Sequence, residues 1–231
     1  MKIGIIGAMP QEIKILTETL QQLTTWEKAG ALFYSGVLGE HQVIVVESGI
    51  GKVLAALTAS LLIQEYAVDC LINTGSAGGI GENLAVGDVV ISEKLAYHDV
   101  DATGFGYEYG QVPGGMPLYY EADANLIYAF EKAAEQTGQT VKKGLIVTGD
   151  SFIDAPQKIK TILTQFPKAL ACEMEGAAIA QTAYQFKVPF LVIRAMSDNA
   201  NHEATESFDD FIDEAGIRSA KMVLSFIENY K

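Results

Sequence analysis

An α/β fold, a single mixed β-sheet flanked by helices on both faces, is what this sequence predicts, and three observations predict it. Short apolar runs alternate with amphipathic stretches along the whole chain. Several of those runs are apolar at every position instead of every second one, as a sheet covered on both faces requires. Glycine or polar residues follow the runs, where an open α/β sheet places its ligands. With 231 residues and 49% hydrophobic composition, one domain spanning 1–231 is the simplest division; no repeat, low-complexity tract or Pro/Ser-rich linker interrupts it.

Taken in order, "KIGIIG" (2–7) predicts a first strand, being too short an apolar run for a signal peptide. Pro10 suits the first turn of a helix over 10–23. "ALFYSGVL" (31–38) and "HQVIVVES" (41–48) predict two strands, with a helix over 51–66. "DCLINTG" (69–75) and "GDVVIS" (87–92) predict two more, before a helix over 122–137. Strands follow at 143–150, 169–175 and 189–198, separated by helices at 156–166 and 175–187, and a last helix covers 207–229. Residues 97–117, "YHDVDATGFGYEYGQVPGGMP", fit no period; five glycines, two prolines and four aromatics make a packed surface loop or a functional lid or subunit contact.

Composition excludes several classes of function. A net charge of −13 argues against nucleic acid or an anionic membrane surface as partner, and no apolar run approaches the ~20 residues of a spanning helix. Cys70 and Cys172 sit in apolar runs and read as reduced core thiols, which places the chain in the cytoplasm. No Cys/His cluster has zinc spacing, so no metal is expected. "GIGK" (49–52) lacks the earlier glycine and the following Ser/Thr of a phosphate loop, and "GIIG" lacks the third glycine of a dinucleotide fingerprint, so no cofactor is expected either. Only two of the 16 basic residues are arginine, Arg194 and Arg218, too few to build a bidentate anion grip.

Three carboxylates stand where strands end: Glu12, Glu175 and Asp198. Glu12 also serves as a first-turn acid favouring a helix N-terminus, and Asp198 as a cap. Glu175, beside Met174, Ala177 and Ala178, is set in a dry environment and needs a hydrogen-bonding partner, for which a ligand hydroxyl would serve. Glu173 ranks below it. "TGSAGGIG" (74–81) lets backbone amides approach a small polar ligand closely. Acid and base carboxylates on a dry rim suit cleavage of a glycosyl bond.

The ordered blocks "GIIGAMPQE", "SGIGKVLAAL", "NTGSAGG", "YHDVDATGFGYEYGQ", "GLIVTGDSFI", "CEMEGAAIAQ" and "VPFLVIRAMSD" resemble the methylthioadenosine/S-adenosylhomocysteine nucleosidases of the nucleoside phosphorylase/hydrolase family. The resemblance implies a nucleoside phosphorylase-like fold and hydrolysis of the N-glycosidic bond to adenine and a 5-thioribose product, as in methionine salvage. It implies Asp198 as the acid that protonates adenine N7, oriented by Ser197, with a raised pKa expected, and Glu12 as the residue that orients and deprotonates water near Arg194. Glu175 would hold the ribose 2′-hydroxyl, Met174 pack on the ribose and Ser76 lie close by. Phe152 would stack on adenine, with the Ile153 backbone reading its edge. Met9, Ile50 and Phe208 would line the alkylthio slot. A homodimer is implied, in which Ala102, Phe105, Tyr107 and Pro113 complete the partner subunit's pocket. Departures from the family pattern are Pro10 and Gln11 before Glu12, Ala102 where valine is common, and "DAPQ" at 154–157. These bear on substrate preference among methylthioadenosine, S-adenosylhomocysteine, 5′-deoxyadenosine and futalosine-type nucleosides. A phosphorylase using phosphate in place of water, and a purine-nucleoside-binding protein without catalysis, are the competing readings.

Overall fold

The computed structural model describes residues 1–137, 141–198 and 204–230, with the backbone alone for residues 137 and 204–210. Its strands are β1 (Lys2–Gly7), β2 (Gln21–Lys28), β3 (Ala31–Leu38), β4 (His41–Glu47), β5 (Cys70–Gly79), β6 (Val89–Tyr97), β7 (Tyr120–Glu121), β8 (Val141–Thr148), β9 (Ala169–Glu173) and β10 (Phe190–Asp198). The helices are α1 (Pro10–Thr19), α2 (Lys52–Gln64), α3 (Ala124–Thr137), α4 (Pro156–Gln165), α5 (Gly176–Phe186) and α6 (Ala204–Asn229).

All ten strands belong to one mixed sheet, ordered β10-β6-β8-β9-β5-β1-β4-β3-β2, with β7 on β6. β1, the apolar run that opens the chain, lies centrally and pairs in parallel with β4 and β5. β10 also pairs with β5, so β5, β10, β6, β8 and β9 close into a ring. Closure depends on β5 running three residues past Ser76, where Gly78 and Gly79 bend to meet Cys172 and Ala171 of β9.

Alternation along β1 distributes the core. Ile3 and Ile5 face one layer, with Ile13 and Leu16 of α1, Phe130 of α3 and Met222 and Phe226 of α6. Ile6 faces the other, with Ala55, Ala59 and Leu62 of α2 and Ala177, Ile179 and Ala180 of α5. The alanine-rich faces of α2 and α5 bring both helices close to the sheet. A third cluster, with Ile162 and Phe166, packs α4 on β8 and β9.

Two expectations need correction. The first helix ends at Thr19, not 23, and Gln21–Lys28 is an edge strand paired with β3. It is exposed along nearly its whole length, so it carries no alternation to read. Its β-formers Thr24, Thr25 and Trp26, and the hairpin Ala29–Gly30 with positive φ at both positions, were the available signals. The 97–117 segment is a loop, as expected, but β6 runs to Tyr97 before it and one 3₁₀ turn, Thr103–Phe105, lies within it. No helix of the described residues is long and apolar enough to cross a membrane.

Candidate active site

The residues at or just past the ends of β1, β4, β8, β9 and β10, together with Ser76, Ala77 and Gly78 near the end of β5, surround one cavity of about 400 Å³. Its walls are mostly apolar, and the polar groups that reach it are carboxylates, hydroxyls and backbone amides.

Glu12 stands in the first turn of α1 and is 1% exposed. Its Oε2 accepts the amides of Ala8 (2.8 Å) and Met9 (3.2 Å), and its Oε1 accepts the amide and hydroxyl of Ser76 (2.9 and 3.1 Å). Four donors and a helix N-terminus give this buried carboxylate its hydrogen-bond partners. The carboxylate of the first helical turn therefore also lines the cavity. Gly75 makes the arrangement possible: a Cβ there would lie 2.5 Å from Glu12 Oε1 and inside the Arg194 guanidinium.

Glu173 and Glu175 flank Met174 at the β9–α5 turn. Glu173 is tied into the scaffold: its Oε2 accepts the amides of Glu175 (3.1 Å) and Gly176 (2.8 Å) and a bond from Arg194 Nη2, and its Oε1 accepts the Thr148 hydroxyl. Glu175 is held more loosely, by the Gly51 amide on Oε1 (2.9 Å) and by Arg194 Nη2 on Oε2 (3.5 Å). Burial pushes its carboxyl up to about 7, with Arg194 opposing and Glu173 adding to the rise. Gly51 donates from φ +100°, a backbone conformation that favours glycine.

Arg194, expected among the substrate-binding residues, stands behind this wall. It is 0% exposed, does not line the cavity, and bonds through Nη2 to Asn73 Oδ1 (2.6 Å), Glu173 and Glu175. Burial opposes its charge, yet Glu173, Glu175 and Glu12 together hold its pKa above the ordinary arginine value.

Asp198 ends β10 and is 2% exposed. Neighbouring residues on a regular strand face opposite ways, but a register shift between Met196 and Asp198 lets Ser197 and Asp198 both reach the cavity. The Ser197 hydroxyl donates to Asp198 Oδ2 at 2.9 Å. Cys172 also lines the floor, where burial, with Asp198 and Glu173 adding, pushes its thiol well above the usual range and keeps it unreactive.

Met9, Ile50, Ser76, Phe152, Ile153 and Met174 line the same cavity, Ile50 and Phe152 from its open rim. Phe208 lies outside the residues whose side chains are described. Ala102, Phe105, Tyr107 and Pro113 do not line this chain's own cavity. Ala102 is buried under its own loop, whereas Phe105 is 87% exposed. Sequence reasoning missed Asn73 and Thr148, and it noted the glycine stretches that hold Gly51 and Gly75 without giving either residue a role. An asparagine inside the apolar run "CLIN" was the one legible signal, since a buried amide needs partners; Asn73 bridges Arg194 and the Ile6 carbonyl (2.9 Å).

Fold and site together define a member of the phosphorylase superfamily, whose family model matches residues 2–228. Within it, the chain belongs to the 5′-methylthioadenosine/S-adenosylhomocysteine nucleosidase family. It is 51% identical over 229 residues to the nucleosidase of that name from Shewanella piezotolerans, covering 99% of each chain. The S-adenosylhomocysteine nucleosidase of Streptococcus pyogenes, in complex with 5-methylthiotubericidin, superposes with a TM-score of 0.97 at 47% identity, over 100% of this chain and 98% of that one. The S. pneumoniae nucleosidase with the transition-state inhibitor MT-ImmA gives 0.96 at 51% identity over 100% of both chains.

Proposed function

We propose that this protein hydrolyses the N-glycosidic bond of 5′-methylthioadenosine and S-adenosylhomocysteine, releasing adenine and a 5-thioribose derivative. The observation that carries this reading is the pair of buried carboxylates, Glu12 and Asp198, on the wall of one largely apolar cavity.

Asp198, held by Ser197, donates its proton to adenine N7. The C1′–N9 bond breaks as its electron pair moves into the neutralised base, leaving an oxocarbenium-like sugar. Water adds to C1′ and gives its proton to Glu12, whose oxygens are already aligned by four donors. Solvent then returns a proton to Asp198 and removes one from Glu12. Glu175 accepts the 2′-hydroxyl, Met174 packs on the ribose, Phe152 and Ile153 receive the base, and Met9, Ile50 and Phe208 receive the alkylthio group. The apolar lining excludes bulk water and strengthens each of these interactions.

A phosphorylase needs cations at the anion site, and neither arginine lines the cavity. Arg194 is engaged by Glu173, Glu175 and Asn73, while Arg218 lies at the surface on Glu214 (2.7 Å) and the Gly87 carbonyl (3.1 Å). The protein works in the cytoplasm as a homodimer. Its α2 exposes Val53, Leu54 and Leu57, Ile50 is exposed just before the helix, and Phe105 is available to a partner's site. Adenine release from both nucleosides, with and without phosphate, tests the reaction. Free thioribose at a phosphate-independent rate is the expected result, and a sugar 1-phosphate overturns hydrolysis.

A further inference from the structure

Lys52, Asp99 and Asp150 form a closed ring of polar contacts beside the cavity, and none of the three lines it. Lys52 opens α2, Asp99 stands at the root of the 97–117 loop, and Asp150 follows β8. The Lys52 ammonium donates to Asp99 Oδ2 at 2.7 Å and lies 3.6 Å from Asp150 Oδ2. Asp99 Oδ2 also accepts the Asp150 amide at 2.9 Å, and Asp150 Oδ1 accepts the Lys52 amide at 2.9 Å. The ammonium also sits 5.4 Å from the centroid of the Tyr97 ring.

This ring differs from the simple surface ion pairs among the described residues. Lys28–Glu65 and Lys132–Glu135 are more exposed and join one residue to one other. The Lys52 and Asp99 side chains are about three-quarters covered, and they join three segments. Exposed pairs contribute little, whereas partly desolvated ones with added backbone bonds hold geometry.

What the ring holds is the cavity's rim. The residue before Lys52 is Gly51, whose amide is a direct donor to the Glu175 carboxylate. The residues after Asp150 are Ser151, Phe152 and Ile153, all of which line the cavity. A Cβ on Gly51 would lie 3.2 Å from Asp150 Oδ1, so the two segments already touch. Displacing Asp150 moves the base-facing segment, and displacing the Lys52 amide moves the donor on Glu175.

We propose that Lys52 is a positioning residue that, through Asp99 and Asp150, sets the Gly51 donor on the sugar-binding carboxylate and the 151–153 segment in one register. The inference rests on the nucleoside reading of the cavity. Removing the ammonium leaves Glu12 and Asp198 in place, so proton transfer is spared, and the Gly51 donor adds a loss specific to the ribose 2′-hydroxyl to any loss the 151–153 segment imposes on both ligands.

The test is calorimetric titration with a non-hydrolysable adenine C-nucleoside and its 2′-deoxy counterpart, alongside steady-state kinetics on methylthioadenosine. In Lys52→Met, the ratio of deoxy to ribo dissociation constants falls about tenfold. KM rises by a similar factor, while kcat stays within about threefold. Lys52→Arg, which keeps the charge, recovers at least half of the parent's ratio. Asp99→Asn weakens ribose discrimination as Lys52→Met does, and the double variant adds little to either. A general loosening would weaken both ligands alike and leave their ratio unchanged; that result, or a Lys52→Arg as poor as Lys52→Met, overturns the proposal. A parent that binds the C-nucleoside but turns over no substrate contradicts the proposed reaction alone, since the binding ratio still decides the role of Lys52.

Discussion

Glu173 and Glu175 stand two residues apart with the same side chain, and the structure gives them different tasks. Glu173 accepts bonds from two amides, a hydroxyl and a guanidinium, all scaffold groups. Glu175 retains acceptor capacity on the cavity wall, where the proposed function gives it a sugar hydroxyl as partner. Sequence placed Glu175 at the rim and ranked Glu173 below it, because Met174, Ala177 and Ala178 make the setting of Glu175 dry. It put Arg194 near Glu12 by resemblance but could not give its partners, Asn73 on β5 and the two glutamates of the β9–α5 turn, which the ring closure brings together. Asp198→Asn tests the acid role: turnover is lost while a nucleoside analogue still binds within a few-fold of the parent, and retained turnover refutes the assignment. A second outcome concerns Glu175 and stability. Its carboxyl is pushed up to about 7 by burial, above an ordinary glutamate, so the fold keeps a proton there that the unfolded chain sheds near pH 4.5. The stabilisation from this proton is complete below about pH 4.5 and fades as pH rises through about 7. Urea midpoints at pH 5 and pH 7 measure it: the parent falls more steeply than Glu175→Gln, which has no proton to lose. Equal falls in the two proteins would rule out the shifted carboxyl.

At the scale of elements, the strands written as continuous apolar runs were legible within a few residues, because burial on both faces leaves no ambiguity of pattern. β1 and β3 occupy the very residues their runs marked. β2 was hidden because an edge strand answers to its partner and not to a core. One residue anchors it: Trp26 stacks on Phe33 with centroids 5.7 Å apart and donates its indole N–H to the Tyr66 hydroxyl at 2.8 Å. Trp26→Ala should cost about 2 kcal/mol, less than a full core truncation because the ring is half-buried. β2 lies at the far end of the strand order from β10, so the parent's kcat and KM should persist. Denaturant unfolding with activity assays checks both halves; a lost activity in a stable variant would mean that the edge communicates with the site.

On the scale of the whole molecule, a chain with a net charge of −13 and two arginines would be unpromising for an anionic ligand, and the site's logic is consistent with that poverty. A neutral nucleoside needs acceptors for hydroxyls, an acid for the base and an apolar slot, all of which the cavity holds. What one chain leaves uncovered is the flank of α2. Val53, Leu54 and Leu57 stand at i, i+1 and i+4 of the helix, an apolar stripe that would ordinarily face a core and that Ile50 extends from just before it, and here all four remain exposed. Phe105 stands on the loop whose root Asp99 anchors, and it meets nothing in its own cavity. A second copy related by a two-fold axis would cover the stripe and bring its Phe105 towards the first copy's rim. Sedimentation at micromolar concentration should then return twice the 24.9 kDa chain mass. Val53 is the most exposed member of the stripe, so Val53→Glu leaves the fold of one chain intact and sets two carboxylates against each other across the axis. It should yield a folded monomer with at least tenfold lower kcat/KM, because the rim loses its partner's aromatic. A parent that sediments as a monomer, or a monomeric Val53→Glu with full activity, would show that one chain completes its own site.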